Sequence, residues 1–236
     1  AVDSSLQLWR ATDGWFDPTT IDVLEWSGYD RSFERVRTRI QHRVEGPTPV
    51  VPTPAGVVVD HERGTITVPE GVRLDLGGVG KGLAADLLAA ELVARGAQSA
   101  CVSVGGDIAV AGEHPDGSWR IPVCDPTQQD RVAWEVELAS GAVVQSNRWV
   151  RQWGSGTESL NHLVNPRTGA CAGSGLSAAV VLADRAWWAE GVAKSAVIAG
   201  PVEGKRMIER LAPSGWLVWD SGAVTCVGGL TVGRVA

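Results

Sequence analysis

Hydrophobic and polar residues alternate along most of the chain in short runs, which is the pattern of half-buried β-strands. Clusters of Gly, Pro, Asp and Ser separate the runs and predict tight turns between them. The final pair reads as a hairpin with Asp220-Ser221-Gly222 as its turn. The predicted strands cover residues 57–59, 65–68, 72–76, 100–104, 108–111, 119–124, 132–138, 142–146, 149–153, 160–164, 176–182, 216–219 and 223–226.

Three segments follow the helical period instead. Over about residues 80–95, four leucines recur on one helical face, and Gly96 follows as a stop signal (Leu83, Leu87, Leu88 and Leu92). Further helices are predicted over 186–199 and 202–211, and residues 4–10 resemble the last turns of another helix. One helix between strands, then many consecutive strands, then helices indicates an α+β fold of mostly antiparallel sheets with flanking helices.

Composition narrows the function classes. The chain has 236 residues, a length that predicts one domain or two closely packed lobes, and we take 1–236 as a single domain. Its net charge of −6 and the lack of a Lys/Arg cluster argue against a nucleic-acid partner. No run approaches the roughly 18 apolar residues of a membrane helix, and no signal peptide is visible.

Four cysteines are far apart in the sequence: Cys101, Cys124, Cys171 and Cys226. None forms a Cys-x-x-Cys pair, so the spacing gives no support to a zinc site. We expect them to be small buried hydrophobic residues.

A glycine-rich segment, DLGGVGKG at 75–82, lies where a strand is predicted to lead into a helix. Glycines there let a phosphate approach the backbone, and Lys81 adds a positive charge. The segment is not a P-loop, because Asp75 stands where that motif needs a glycine and Gly82 replaces its Ser/Thr. Leu83 takes the place of the third glycine of a dinucleotide fingerprint. A plain turn before a helix stays the alternative.

Two further motifs follow along the chain. Gly105-Gly106-Asp107 lies between two predicted strands, where the glycines suit a ligand or a plain hairpin turn. The segment HLVNPRTG at 162–169 ends a strand in an Asn-Pro turn. We expect His162 to be exposed there and to act as an acid or base. The alternative is that the segment is only a polar turn.

In this order, the three motifs resemble those of the ApbE family of FAD:protein FMN transferases, over about residues 13–200. The resemblance implies an ApbE-like fold whose N-terminal portion would precede residue 1 and supply part of the flavin pocket. It also implies FAD as substrate. The residues it assigns to FAD binding are Trp15, Phe16, Asp17, Asp75, Lys81, Gly105, Gly106, Asp107, Ser146, Leu163 and Thr168.

The implied reaction joins FMN to a protein. A Thr or Ser hydroxyl of an acceptor protein attacks the phosphorus that bears riboflavin, and AMP leaves. His162 is the candidate for handling the proton, with hydrogen bonding to FAD as its alternative role. An FAD pyrophosphatase and a non-catalytic FAD-binding module stay open as alternatives. The location is open between the cytoplasm and the outer face of a bacterial cytoplasmic membrane.

The sequence departs from the family pattern at the implied magnesium site. Gly78 and Glu190 match two family ligand positions, but Lys194 stands where the family has a threonine. An ammonium has no lone pair for a metal ion. We therefore hypothesise that Lys194 replaces the ion, pairs with Glu190 and meets the pyrophosphate. The alternative is a surface i, i+4 ion pair of about 0.3–0.5 kcal/mol. Asn165 also replaces the acidic residue of the third motif.

Overall fold

The computed structural model describes residues 1–37, 45–128, 130–154 and 159–228. Its helices and strands run in chain order as α1 (Val2–Ala11), α2 (Ile21–Trp26), α3 (Phe33–Val36), β1 (Val58–Asp60), β2 (Thr65–Thr67), α4 (Gly80–Ala94), β3 (Ser99–Val104), β4 (Asp107–Gly112), β5 (Trp119–Cys124), β6 (Val132–Leu138), β7 (Gly141–Asn147), β8 (Gln152–Trp153), β9 (Leu160–Asn161), β10 (Val164–Asn165), β11 (Ala170–Cys171), β12 (Leu176–Ala183), α5 (Ala186–Ala199), α6 (Pro201–Leu211), β13 (Ser214–Trp219) and β14 (Val224–Val227).

A six-stranded antiparallel sheet forms the centre, in the order β14-β13-β12-β7-β4-β3. Its two faces are both covered, so central strands carry apolar residues on both sides. Ala179 and Val181 face the helices, whereas Val180 faces the β5–β6 hairpin. On that second face Trp134 and Trp216 meet edge to face, with ring centroids 5.6 Å apart.

Helices α4 and α5 are joined by specific contacts as well as by apolar packing. Asp86 on α4 accepts hydrogen bonds from the backbone N–H groups of Ala186 and Trp187, at 2.9 and 3.1 Å. These N–H groups belong to the first turn of α5 and have no partner within the helix. At Gly82 the helices approach so closely that a Cβ would lie 2.5 Å from the Ala186 carbonyl. The first turns of the two helices are therefore fixed relative to each other.

The predicted α+β class with mostly antiparallel sheets is confirmed, and so are the helices predicted at 80–95, 186–199 and 202–211. The predicted apolar face of α4 is wrong. Leu87, Leu88 and Leu92 are 63%, 50% and 46% exposed, whereas Ala85 and Ala89 are buried. The reason is the close approach of α4 to α5 and the sheet, which admits only small side chains.

Several predicted strands are shorter than expected or are missing. Residues 72–76 form no strand, because the Asp75 N–H donates to the Pro18 carbonyl instead of to a neighbouring strand. The predicted strand over 149–153 is reduced to β8. The one over 160–164 is split into β9 and β10, because the Asn161 side chain accepts a bond from the Leu163 N–H and turns the chain there.

The cysteine prediction is also wrong. Cys101 and Cys226 are exposed on the two edge strands, β3 and β14, and Cys124 and Cys171 are partly buried. An edge strand has a solvent-facing side, so an apolar run there does not imply burial. Of the helices that the structure describes, none is long and apolar enough to cross a membrane.

Candidate functional site

A cavity of about 460 Å³ opens where the turn before α4, the β3–β4 turn, the ends of β5 and β7, and helix α5 meet. Its size is in the usual range for small-molecule sites. Residues predicted from separate motifs converge on it, since ten of them line its wall: Gly78, Lys81, Gly105, Gly106, Asp107, Ser146, His162, Leu163, Glu190 and Lys194.

Lys81 joins two buried carboxylates at the base of the cavity. Its Nζ donates to Asp107 Oδ2 at 2.6 Å and also to Glu190 Oε1. Asp107 and Glu190 are only 3% and 4% exposed. Burial opposes the charge on Lys81, but the two carboxylates outweigh it and raise the pKa of Lys81 above its ordinary value. Lys81 therefore stays protonated and its charge is neutralised by the protein.

Glu190 is fully engaged by α4. Its Oε1 accepts from Lys81, and its Oε2 accepts from the backbone N–H of Gly82 at 2.9 Å. The predicted pairing of Glu190 with Lys194 is therefore wrong. The reason is geometric, because the first turn of α4 brings both an ammonium and an unpaired N–H against the same carboxylate.

The β3–β4 turn needs both of its glycines. Gly105 and Gly106 have φ of +59° and +94°, the left-handed values of a two-residue hairpin turn. A Cβ on Gly105 would also lie 3.1 Å from Lys81 Cδ. These glycines thus form the turn and leave room for the lysine that reaches Asp107.

Lys194 follows Glu190 by one turn of α5 and also lines the cavity. Its Nζ lies 5.7 Å from the centroid of the Phe16 ring, and Phe16 itself is buried. A Cβ on Gly78 would stand 3.0 Å from the same Nζ. Lys194 is therefore held between an aromatic ring and a glycine.

His162 differs from the exposed acid or base that the sequence predicts. It is partly buried, and its Nδ1 has no hydrogen-bond partner among the described residues. Burial, with help from the charges of Lys194 and Arg151, lowers the pKa of His162 to about 3. The imidazole is therefore neutral at neutral pH.

Two of the predicted FAD-binding carboxylates, Asp75 and Asp17, are not part of the cavity wall. Each stabilises a turn of the backbone as a hydrogen-bond acceptor. Asp75 Oδ1 accepts from the Gly77 N–H at 2.8 Å, which fixes the turn that leads to Gly78. Asp17 Oδ1 accepts from the Thr19 N–H and hydroxyl, at 2.8 and 2.6 Å. Burial raises the pKa of Asp17, although Thr19 and Lys194 act in the opposite direction.

Three other predicted residues also lie outside the wall. Phe16 is buried beneath Lys194, and the Trp15 ring carries the Arg167 guanidinium 4.1 Å from its centroid. Thr168 is exposed, and its hydroxyl accepts from the Ala170 N–H at 3.3 Å. Their assignment to FAD stays a prediction.

The cavity wall also contains residues that the motifs did not indicate. Arg151 and Asp125 bring a cation and a carboxylate to the wall, and Asn147 turns the chain by accepting from the N–H groups of Trp149 and Val150. Residues 149–153 showed only a strand-like pattern, so nothing in the sequence marked Arg151. Cys124 is a further wall residue that no motif indicated, whereas Ser103 and Gln145 on the wall lie next to residues of the motifs.

The magnesium ion implied by the family resemblance does not fit these side chains. A magnesium site needs free oxygen ligands. Both oxygens of Glu190 and one oxygen of Asp107 are bonded to Lys81 or Gly82. An ammonium stands one turn further on at Lys194. In the described part of the chain, no three His, Cys, Asp or Glu side chains form a group that could hold a metal ion.

The fold is that of the solved ApbE structures. The chain aligns with the ApbE protein of Thermotoga maritima at a TM-score of 0.79 and 24% identity, covering 96% of this chain and 74% of that one. It aligns with the flavinyl transferase ApbE of Pseudomonas stutzeri at 0.73 and 23%, covering 96% and 70%. The model of the ApbE family matches residues 1–216, and the chain therefore belongs to the ApbE family.

Two curated relatives are both named FAD:protein FMN transferase. The one from Rhodobacter capsulatus is 31% identical over 155 residues, which are 65% of this chain and 29% of the relative. The one from Escherichia coli K12 is 24% identical over 225 residues, which are 94% of this chain and 64% of the relative. The chain thus spans less than two thirds of the length of these curated relatives.

Proposed function

We propose that this chain carries the catalytic pocket of an FAD:protein FMN transferase, with FAD and an acceptor protein bearing a Thr or Ser hydroxyl as its substrates. The observation that carries the proposal is that residues of three separate motifs line one cavity. The motifs at 75–82, 105–107 and 162–169 are far apart in the sequence, yet members of each line the same cavity. The relatives named FAD:protein FMN transferase support the same assignment.

The reaction needs a positioned hydroxyl, a proton acceptor and neutralisation of phosphate charge. A neutral His162 can take the proton of the attacking hydroxyl on an imidazole nitrogen. The oxygen then bonds to the phosphorus that bears riboflavin, and the bond from that phosphorus to AMP breaks. Burial, followed by the charges of Lys194 and Arg151, lowers the pKa of His162 in the free site. An anionic pyrophosphate would offset their charges, so we expect His162 to be a stronger base in the FAD complex.

The test is transfer in a defined mixture. The chain is incubated with FAD and an acceptor domain that carries a flavinylation threonine, and the acceptor is inspected for flavin fluorescence on a denaturing gel while AMP is measured. A fluorescent acceptor with equimolar AMP is expected. His162→Asn is expected to lower the rate by about 100-fold or more, the usual contribution of a general base.

Matched controls separate the outcomes. Changing the acceptor threonine to alanine should abolish labelling, and His61→Asn, at an exposed histidine, should leave the rate unchanged. FMN and AMP formed without a labelled acceptor would replace the proposal with an FAD pyrophosphatase. FAD that stays intact would replace it with a binding module.

A further inference from the structure

The cavity contains two lysines in opposite electrostatic situations. Lys81 is neutralised by the buried carboxylates of Asp107 and Glu190. Lys194 lines the same cavity, yet it has no carboxylate within ion-pair distance among the residues that the structure describes. The surface ion pair that its i, i+4 spacing to Glu190 suggests is absent, because Glu190 is already bound by α4.

The Lys194 ammonium lies close to Phe16 and Gly78 at the cavity wall. Its Nζ lies near the Phe16 ring, within the distance at which a cation is attracted to an aromatic face. The missing side chain of Gly78 leaves the space beside the ammonium free. Burial dominates the pKa shifts of both Asp17 and His162, and the charge of Lys194 also acts on both groups.

A partly buried cation that makes no ion pair with the described residues favours an anionic ligand. An ammonium has three donors and no acceptor, and lysine is a common phosphate-binding residue that acts as a point charge. Besides Lys81, the described part of the wall has one more cation, Arg151, which is exposed and whose backbone carbonyl accepts from the His162 N–H. Phosphoryl-transfer sites usually neutralise phosphate charge with a metal ion, and the donor groups of this cavity do not fit one.

We propose that the Lys194 ammonium binds a phosphate oxygen of the nucleotide directly and supplies the charge neutralisation that a divalent cation supplies in other phosphoryl-transfer sites. This deepens the proposed function and rests on the same cavity, but it concerns binding rather than transfer. Lys81 is then a positioning residue, which keeps Glu190 and Asp107 from drawing Lys194 away from the ligand.

The experiment measures equilibrium binding of FAD, ADP and riboflavin by titration calorimetry, once in EDTA and once with magnesium. For the unaltered chain we expect the affinity for FAD to be the same in EDTA as with magnesium. The same holds for ADP. Lys194→Gln is expected to weaken FAD and ADP binding by roughly 10- to 100-fold, the worth of a hydrogen bond to a charged group. Its riboflavin binding should not change, because riboflavin has no phosphate.

Two variants control for trivial effects. Lys194→Arg keeps the positive charge and should retain most of the affinity for ADP. Lys205→Gln removes a lysine from the exposed face of α6, where it pairs with Glu209, and should leave binding unchanged. Thermal unfolding of each variant reports whether it has folded.

Three results would overturn the proposal. The first is an ADP affinity of the unaltered chain that falls at least tenfold in EDTA. The second is an ADP affinity that Lys194→Gln leaves unaltered. The third is that the unaltered chain binds neither FAD nor ADP. Binding that behaves as expected in a chain that transfers no flavin would support the role of Lys194 and reject only the transferase assignment.

Discussion

The backbone N–H of Gly82 donates to Glu190 Oε2 at 2.9 Å, so a carboxylate of the cavity wall also joins helices α4 and α5. The same glycine lies where the helices approach closely, since a Cβ on it would be 2.5 Å from the Ala186 carbonyl. The geometry of the cavity and the packing of the two helices therefore depend on each other.

Gly82→Ala is expected to lower the free energy of unfolding by about 3 kcal/mol. The new Cβ would meet the backbone of Ala186 and Trp187 at 2.5 Å, and backbone cannot move aside as a flexible side chain can. Denaturant unfolding measures the effect. Gly80→Ala, two residues earlier in the same helix, is the control, since its Cβ has nothing within 4 Å. Equal stability of the two variants would contradict the expectation.

Lys81→Met is expected to destabilise the protein by about 3 kcal/mol, because it leaves two buried carboxylates without their cation. Adding Glu190→Gln should recover part of the loss, since the amide keeps the shape and the acceptor oxygen but has no charge. Urea unfolding of the single and double variants provides the comparison. A double variant that is less stable than Lys81→Met would show that the pair is not the cause.

Gly78→Ala is expected to weaken ADP binding several-fold with little change in stability. Its Cβ would lie 3.0 Å from Lys194 Nζ and from Phe16 Cε2, and the end of the lysine would give way more readily than the buried ring. Calorimetric titration with ADP measures the change. Gly80→Ala again provides the control, and unaltered ADP affinity in Gly78→Ala would argue against a ligand beside Lys194.

His162 is expected to make the stability of the protein depend on pH on the acid side. Its pKa falls from about 6.5 in the unfolded chain to about 3 in the folded one. Below pH 6.5 the unfolded chain therefore binds the extra proton. Stability that is fully present above that pH is lost as the pH falls toward 3, by at most about 1.4 kcal/mol per pH unit.

The comparison is between unfolding curves of the unaltered chain and His162→Gln from pH 7 to pH 4. The variant should lose less stability over this range, whereas His61→Gln should follow the unaltered chain, because His61 is exposed. Parallel curves for the unaltered chain and His162→Gln would rule out a depressed pKa.

ADP binding is expected to raise the pKa of His162. The phosphates would offset the positive charges of Lys194 and Arg151, two of the causes that lower this pKa in the free site. NMR titration of the imidazole with and without ADP measures it. A pKa that stays near 3 in the complex would place the phosphates away from the histidine.

The sequence predicts the regular elements well, because they depend on local periodicity. Helix α5 begins and ends at the predicted residues, 186 and 199. The buried face of α4 was missed, because leucines dominate any hydrophobic pattern whereas close helix packing selects Ala85, Ala89 and Gly82. The fit between two helices is a property of both sequences, and neither pattern reveals it alone.

Ten of the predicted residues line the cavity, but the contacts among them could not be predicted. The resemblance to ApbE proteins picked out Lys81, Asp107 and Glu190 separately. Their association depends on partners 26 and 109 residues away from Lys81. Spacing within α5 instead suggested that Glu190 pairs with Lys194. In the tertiary structure Glu190 is bonded to Lys81 and Gly82 of α4. The assignment of each side chain to FAD stays a prediction.

The central sheet follows chain order, apart from two stretches that leave it and return to a neighbouring strand. One stretch lies between β4 and β7 and carries Cys124 and Asp125, and the other lies between β7 and β12 and carries Arg151 and His162. Part of the cavity wall thus comes from chain that leaves the central sheet, whereas Asp107 and Ser146 belong to its strands β4 and β7, and Glu190 and Lys194 to helix α5. Exchanging the second stretch between family members is expected to change this part of the wall and to leave the strand order of the central sheet as it is.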